Sequence, residues 1–312
     1  MFGRGLVATR DLQAGEMALR IPLSCVIAER DSAENNDDDD DDSWTGRLAN
    51  RLLDQPDNCP YKATLPLPPS TPSRGDWHES ILQEFQNQEF RNEINSAQNW
   101  RYAKWEQHCG SYPNRQNFLD ALDLVCSRTI RIGDTLMLVP LLDMANHASR
   151  QQGGGYYKRE GSHVCLFVGE RGVRSGEEIT LDYGNRRNED WLIHYGFLPD
   201  RNDVETVQLP QSKTTVTWKD VGTTDISLQR ECLEFLHQAE TTLEDDLAKL
   251  QSISKSDFRL GMALNYRISR KILLSAVAGA KAATACSSAF SACDFSVVEE
   301  RAGKTRCTKS TI

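Results

Sequence analysis

The feature that most constrains the fold is a block of helical periodicity that interrupts a series of strand-like segments. Before the block, "GLVATRDL" and "EMALRIPLSCVIA" are short apolar runs separated by a "QAGE" turn, as in paired strands. From Trp44 to Thr129, apolar residues recur instead at three- and four-residue spacing. Strand-like runs return at 136–142, 163–168 and 178–183, and "VETVQLP" with "KTTVTWK" predicts a further hairpin. We therefore predict an α+β fold with a β-rich core and an inserted helical subdomain.

The carboxy-terminal third is predicted to be helical. "SLQRECLEFLHQAETTLEDDLAKLQ" and "DFRLGMALNYRISRKILLSAVAGAKAATA" are both long and amphipathic. The run "RQQGGG" within the β-rich region predicts a flexible loop. The predicted units are a β-rich core at 1–43 and 126–200, an inserted helical subdomain at 44–125, a helical domain at 201–290 and a fraying tail at 291–312.

Composition and charge exclude several classes of protein. The net charge of -9 at pH 7 argues against broad binding to nucleic acid. No apolar run is long enough to predict a membrane-spanning helix, and the amino terminus resembles neither a signal peptide nor a transit peptide. The 9 cysteines include no C-x-x-C pair and no zinc-site spacing, which favours reduced thiols in an intracellular protein without a metal site. The aspartates at 37–42 predict a solvated, disordered loop.

Three short motifs carry groups suited to chemistry. "GRGL" at 3–6 holds two glycines, which allow a ligand to approach the backbone closely. "DMANH" at 143–147 brings a carboxylate, an amide and an imidazole to the end of an apolar run; by itself it is better explained as a capped polar turn. "LDYGNRRNEDWLIHYGF" at 181–197 predicts a tight turn at Tyr183 and then a short helix with Asn188 as its N-cap.

Taken in order, these motifs resemble those of the SET-domain protein methyltransferases. The order is G-x-G-L, then Ser-Arg at 127–128, then "DMANH", then "GEEITLDYG", then N-x-x-x-L-x-x-Y-G-F. Within that family the sequence resembles the Rubisco large-subunit methyltransferase branch. The resemblance covers residues 1–200 through motifs and 225–285 through helical pattern. It implies a SET domain of small sheets with a helical insertion, followed by a helical substrate-binding domain that we expect here in truncated form.

The resemblance also implies an activity. It implies an S-adenosylmethionine-dependent N-methyltransferase that modifies a lysine side chain of a protein substrate. Two alternatives stay open: a protein-histidine N-methyltransferase, and a SET-like module that binds a protein without catalysis. Leu142 and Thr129 flank the pocket where the actin-histidine branch carries other residues, and Tyr195 resembles the lysine branch. We expect a monomer without nucleic-acid or membrane partners, in the cytoplasm or a plastid.

Roles for individual residues follow from the same resemblance. Tyr183 is the implied catalytic residue. Because its unperturbed pKa of about 10 makes it a poor base, we assign it orientation of the acceptor and electrostatic stabilisation. The implied cofactor contacts are Phe2, Gly3 and Arg4 through the backbone, Arg128 at the cofactor's carboxylate, Asp143 as support of the loop, Asn146 and His147 at the amino group and adenine, and Tyr195 and Phe197 as a wall. Tyr156, Tyr157 and Tyr195 are the implied lining of the substrate pocket, and no metal ligand is implied.

The sequence departs from the family pattern at two positions. Ala148 stands where the family usually has Ser after the Asn-His pair, and Phe2 stands where an acidic residue usually precedes the first glycine. The chain also opens on the cofactor motif itself, whereas the family normally has residues before it. These features predict a less supported cofactor loop and favour an incomplete amino terminus.

Overall fold

The computed structural model describes residues 5–30, 43–65, 77–110, 112, 114–199, 202–254 and 257–279. The predicted cofactor residues Phe2, Gly3 and Arg4 lie outside this part of the chain, as do the aspartate loop at 37–42 and the tail from 291.

Within the described ranges, ten short strands form four small antiparallel sheets. The sheets have the orders β2-β7-β6, β3-β5-β4, β1-β8 and β10-β9, the last being the predicted hairpin. Each of the first three sheets joins strands from distant parts of the core. The strands are β1 (Leu6–Val7), β2 (Met17–Pro22), β3 (Ile27–Arg30), β4 (Ile130–Ile132), β5 (Thr135–Leu138), β6 (Tyr156–Glu160), β7 (His163–Phe167), β8 (Glu178–Ile179), β9 (Thr206–Gln208) and β10 (Thr215–Thr217).

Helices fill the interval between β3 and β4 and the region after β10. This arrangement confirms the predicted α+β class with a helical insertion and a helical carboxy-terminal region. In the described part of the chain, no helix is both long and apolar enough to cross a membrane. The helices are α1 (Ser43–Leu53), α2 (Pro60–Thr64), α3 (Glu79–Glu84), α4 (Gln88–His108), α5 (Arg115–Arg128), α6 (Asn188–Tyr195), α7 (Ile226–Gln238), α8 (Leu243–Ser252) and α9 (Phe258–Val277).

The inserted helices pack directly on one of the core sheets. A buried apolar cluster joins Leu48 of α1 and Phe118 and Leu122 of α5 to Ile27 of β3 and Leu138 of β5. All five side chains are less than a tenth exposed. Because burial of apolar side chains is the dominant stabilising term, the insertion and the sheet share one core, and α5 leads its last residues toward the site.

Two predicted strands are shorter than the sequence suggested. The run at 136–142 forms β5 only as far as Leu138. Pro140 has no backbone N–H to donate to a sheet, and Leu141 adopts a positive φ of 68° that breaks extended structure. The run at 178–183 pairs as a strand only at Glu178–Ile179.

Two predictions about helix boundaries were wrong. The long helix predicted from "SLQRECLEFLHQAETTLEDDLAKLQ" is broken between α7 and α8. Thr242 caps α8 there, since its hydroxyl accepts from the Asp245 N–H while the Asp245 carboxylate accepts from Thr242. Asn188 is the first residue of α6 rather than its N-cap, because its side chain instead bonds Ser269 of α9 and Asn202.

A buried ion network ties the carboxy-terminal helices together. Asp246 of α8 is fully buried and accepts from Arg267 and from Lys271 of α9, the latter with Nζ at 2.7 Å from Oδ2. Arg267 also bonds Glu84 of α3 at 2.9 Å. Two carboxylates, those of Asp246 and Glu84, thus balance the two buried cations, so α3, α8 and α9 are held in one arrangement.

A second buried carboxyl makes stability depend on pH. Glu205, just before β9, is 1% exposed. Burial, with the charge of Glu189 as a smaller cause, raises the pKa of Glu205 to about 8. In the unfolded chain the same group titrates near 4.5, so between these values the folded state binds the extra proton and the free energy of unfolding falls as pH rises.

The variant Glu205→Gln should therefore be less sensitive to alkali than the wild type. We expect it to gain at least about 1 kcal/mol relative to the wild type between pH 5 and pH 9, measured as urea unfolding midpoints. Glu170→Gln, at an exposed carboxylate, is the matched control and should follow the wild type. Parallel pH profiles for Glu205→Gln and the wild type would contradict the assignment.

Candidate functional site

The site forms where the segment after β8 passes between two other stretches of chain. Leu181 pairs in parallel with His147 on one side and with Gly155 on the other. Its N–H donates to the Asn146 carbonyl at 2.8 Å, and its carbonyl accepts from the Ala148 N–H at 3.2 Å. The "DMANH" and "LDYG" motifs, separate in sequence, therefore lie side by side.

Close packing at this crossing explains the glycine run beside it. A Cβ on Gly154 would lie 1.9 Å from the Ala148 carbonyl oxygen, and one on Gly155 would lie 2.3 Å from that of Phe167. Arg150–Gln152 forms a capped 3-10 turn that leads into these glycines. The run "RQQGGG", which the sequence predicts to be a flexible loop, therefore contains a short 3-10 turn and glycines that serve close backbone approach.

An aromatic cluster surrounds the imidazole of the Asn-His pair. The His147 ring lies 4.5 Å from the ring of Trp191 and 5.3 Å from that of Tyr183, measured between centroids. Tyr195 lies 5.3 Å from Tyr183, and Phe197 lies 5.3 Å from Trp191. The structure therefore brings together four predicted residues and adds Trp191, which the sequence analysis missed although it lies inside the quoted helix motif.

The imidazole is held in one tautomer. His147 Nδ1 accepts from the Tyr183 backbone N–H at 3.3 Å. Burial lowers the pKa of His147, so the ring is neutral at pH 7 and carries its proton on Nε2. His147 thus offers a donor and an aromatic face rather than a charge.

The hydroxyl of Tyr183 is also fixed and neutral. It donates to the Ala145 carbonyl at 2.6 Å. Burial raises the pKa of Tyr183 above its usual value, because the phenolate would lose its solvation. With its proton committed to a carbonyl, the oxygen keeps lone pairs that can accept from a donor in the site.

Asn146 is held by a carboxylate that the sequence analysis did not single out. Its Nδ2 donates to Glu178 Oε1 at 2.6 Å. A Cβ on Gly5 would lie 2.3 Å from the same Oε1 and 3.0 Å from Nδ2. The second glycine of "GRGL" therefore lies directly against this pair, and Glu178 lies within the quoted "GEEITLDYG" motif.

Arg128, at the end of α5, binds Asp143 of the "DMANH" loop at 143–147, which we call the site loop. Its guanidinium donates to the Asp143 carbonyl at 2.7 Å and to Oδ2 at 3.2 Å. Burial raises the pKa of Asp143. Arg128 Nε and Asp143 Oδ1 are buried and have no hydrogen-bond partner in the described part of the chain, which leaves two polar atoms suited to a ligand or ordered water.

The predicted substrate tyrosines follow on β6. Tyr156 is 42% exposed and stacks on Phe167, with centroids 5.3 Å apart. Tyr157 is more buried, and its hydroxyl lies 3.4 Å from the Arg131 carbonyl. The guanidinium of Arg186 lies 5.4 Å from the centre of the Tyr195 ring and its charge also acts on Tyr157. Arg186, which the sequence did not point to, thus interacts with both Tyr195 and Tyr157.

Metal chemistry has no obvious ligands in the described residues. No group of three His, Cys, Asp or Glu side chains lies close enough together there to hold an ion. The cysteines that the structure describes are free: Cys25, Cys59, Cys109, Cys126, Cys165 and Cys232.

Comparison with known proteins gives one family and a set of relatives. A family model of the SET domain matches residues 3–184. The actin-histidine N-methyltransferase of Homo sapiens is 30% identical over 238 residues, which are 66% of this chain and 40% of that protein. The protein of the same name from Canis lupus familiaris is 29% identical over 240 residues, with the same coverage. The chain therefore spans less than half the length of these relatives.

Solved structures share the fold. The SET domain of LSMT bound to lysine and AdoHcy aligns with a TM-score of 0.61 at 17% identity, over 88% of this chain and 83% of that one. Rubisco LSMT bound to AdoMet aligns with a TM-score of 0.61 at 18% identity, over 88% and 84%. These alignments extend beyond the matched region into the carboxy-terminal helices.

Proposed function

The chain belongs to the SET domain family, and we propose that it transfers a methyl group from S-adenosylmethionine to a side-chain nitrogen of a protein. The observation that carries the proposal is the crossing at Leu181, which joins Asn146 and His147 to Tyr183. A polar turn that served only structure would not require an amide, an imidazole and a buried tyrosine hydroxyl within one aromatic cluster.

The residues present fit such a cofactor. The buried Nε of Arg128 has no partner among the described residues, and a guanidinium is well suited to the carboxylate of an amino-acid moiety. Because Gly5 has no Cβ, its backbone lies directly against the Asn146–Glu178 pair, the close approach that glycine allows. The aromatic faces around His147 suit an adenine ring or a cationic sulfur. We assign Phe2, Gly3 and Arg4 to the same site as backbone contacts.

The chain's own part in the reaction is to bind the two reactants and to orient the acceptor nitrogen. When bound, S-adenosylmethionine supplies a methyl group on a positively charged sulfur. Transfer needs the acceptor nitrogen in line with that bond, and such positioning can remove a large part of a barrier. Tyr183 accepts a hydrogen bond from the acceptor nitrogen while its own O–H continues to donate to the Ala145 carbonyl. Its raised pKa excludes a role as a free base at pH 7, so the acceptor's proton leaves to water.

Lysine is our first candidate for the acceptor. A lysine has to lose a proton whose unperturbed pKa is about 10.4. An acceptor packed against Tyr183 and Tyr195 loses the water that would stabilise its ammonium form, and the cation of Arg186 against Tyr195 opposes a second positive charge. Both effects favour the neutral amine that reacts. Tyr156 or Tyr157, which point to opposite faces of β6, would line the approach.

Histidine is the second candidate, favoured by the relatives in the comparison. Those relatives are named actin-histidine N-methyltransferases and are 29–30% identical. An imidazole is already largely neutral at pH 7, so the environment beside Arg186 suits it as well. In either case, the proposed substrate is a protein that presents a lysine or a histidine in an accessible segment.

Calorimetry with S-adenosylhomocysteine tests the proposal. Binding by the purified chain is expected, and no heat of binding at millimolar ligand would contradict it. Labelled methyl donor with a cell extract, followed by mass spectrometry of the labelled protein, then identifies the acceptor residue. Binding of the cofactor without any incorporation would instead favour a SET-like module that docks a protein without catalysis.

A further inference from the structure

The helical insertion reaches the site loop through one hydroxyl. Tyr61 is in α2, a five-residue helix that starts at Pro60, a residue suited to the first helical position. The ring is buried among the insertion's apolar side chains, with only 4% of the residue exposed. Its hydroxyl nevertheless donates to Asp143 Oδ2 at 3.0 Å. The insertion and the "DMANH" loop are therefore in direct contact.

The same carboxylate oxygen holds the arginine of the site. Asp143 Oδ2 accepts from Tyr61 and also from the Arg128 guanidinium at 3.2 Å. That guanidinium makes a second bond to the Asp143 carbonyl at 2.7 Å. Because Tyr61 fixes the rotation of the carboxylate, it also fixes the direction in which the remaining Arg128 donors point. Buried groups that orient a ligand-binding side chain commonly change affinity when they are removed.

We propose that Tyr61 is a positioning residue for the cofactor, acting through Asp143 on Arg128. The inference rests on the proposed function, since it names a residue that prepares the same site. It also gives the helical insertion a part in cofactor binding: the insertion supplies a hydrogen-bond donor that the sheets around the loop do not.

The variant Tyr61→Phe tests this by removing one oxygen and keeping the ring. We expect its affinity for S-adenosylhomocysteine to fall about tenfold, because a hydrogen bond to a buried charged group is lost. Tyr112→Phe is the matched control. Tyr112 also belongs to the helical insertion, and its hydroxyl likewise bonds a carboxylate, that of Asp54, and the Asn50 carbonyl, both near the end of α1. The control should bind like the wild type.

A pH profile separates positioning from loss of stability. Burial raises the pKa of Asp143, while Arg128 of α5 and the Tyr61 hydroxyl of α2 both lower it; the Asp143 charge also acts on Tyr183. Removing the Tyr61 donor raises the pKa of Asp143 further. The loss of affinity on acidification should then begin at a higher pH in Tyr61→Phe than in the wild type, whereas a purely structural defect would leave the midpoint unchanged.

A double-mutant cycle with Asp143→Asn completes the test. Once Asp143 is altered, adding Tyr61→Phe should weaken binding by less than about twofold, because the hydroxyl then has no carboxylate to orient. Equal affinities for Tyr61→Phe, Tyr112→Phe and the wild type overturn the inference and leave the proposed function standing. Failure of the wild type itself to bind the ligand overturns the proposed function instead.

Discussion

Tyr183→Phe is expected to lower the rate of methyl transfer by about 100- to 1000-fold. The hydroxyl receives a hydrogen bond from the substrate nitrogen only in the reacting complex. Removing the hydroxyl should therefore lower the rate of transfer. The affinity for S-adenosylhomocysteine should change by no more than about twofold, because the ring remains against His147 and Tyr195. Single-turnover assays with labelled methyl donor and calorimetry on the same preparation measure the two effects.

Loss of fold has to be separated from loss of catalysis in that variant. Phe leaves the Ala145 carbonyl without the bond it receives from Tyr183 at 2.6 Å, a cost of about 1–3 kcal/mol in stability. Assays below the melting transition remove this effect, and Tyr112→Phe controls for loss of a tyrosine hydroxyl elsewhere. A folded Tyr183→Phe protein with near wild-type turnover would assign the orienting role to another residue.

Gly154→Ala is expected to lower the free energy of unfolding by about 3 kcal/mol or more. Its Cβ would meet the Ala148 carbonyl oxygen at 1.9 Å, and that carbonyl belongs to backbone, which cannot rotate away as a side chain can. The 148–155 segment must shift, and with it the pairing of Leu181. Denaturant unfolding of the purified variant measures the loss.

Gly110→Ala is the matched control for that substitution. A Cβ there would meet no atom within 4 Å, and Gly110 follows the end of α4 on the surface. Its free energy of unfolding should stay within about 0.5 kcal/mol of the wild type. Equal stabilities for the two glycine variants would mean that the backbone near Ala148 yields easily, against the packing described above.

The sequence was most informative where chemistry and spacing coincide in short motifs. Membership of the SET domain family and the α+β class are confirmed. The motifs also placed Asn146, His147 and Tyr183 in one site, and the described structure does bring them together. Local sequence patterns are enough to predict this part of the site because each motif determines its own turn. The fold then only has to bring the "DMANH" and "LDYG" motifs side by side.

What the sequence did not predict depends on contacts between distant residues. Tyr61 and Asp143 are 82 positions apart, and the periodicity of the insertion indicates only that Tyr61 is buried. In the sequence, Glu178 is one of several charges in an acidic motif. Its role becomes apparent only from its contacts in space with Asn146 and Gly5. The break after α7 and the end of β5 at Leu138 are set by a cap and by a positive φ, which outweigh the apolar pattern around them.

The crossing at Leu181 has a consequence for the order of folding. Leu181 pairs with His147 and Gly155, and β8 just before it pairs with β1 near the other end of the domain. Such non-local pairings close large loops and form slowly. During synthesis the "DMANH" loop cannot complete its pairing until Leu181 has left the ribosome. The ability to bind a ligand should therefore form late in the folding of this domain. The onset of ligand binding by a nascent or refolding chain would then report when the folding of this domain is complete.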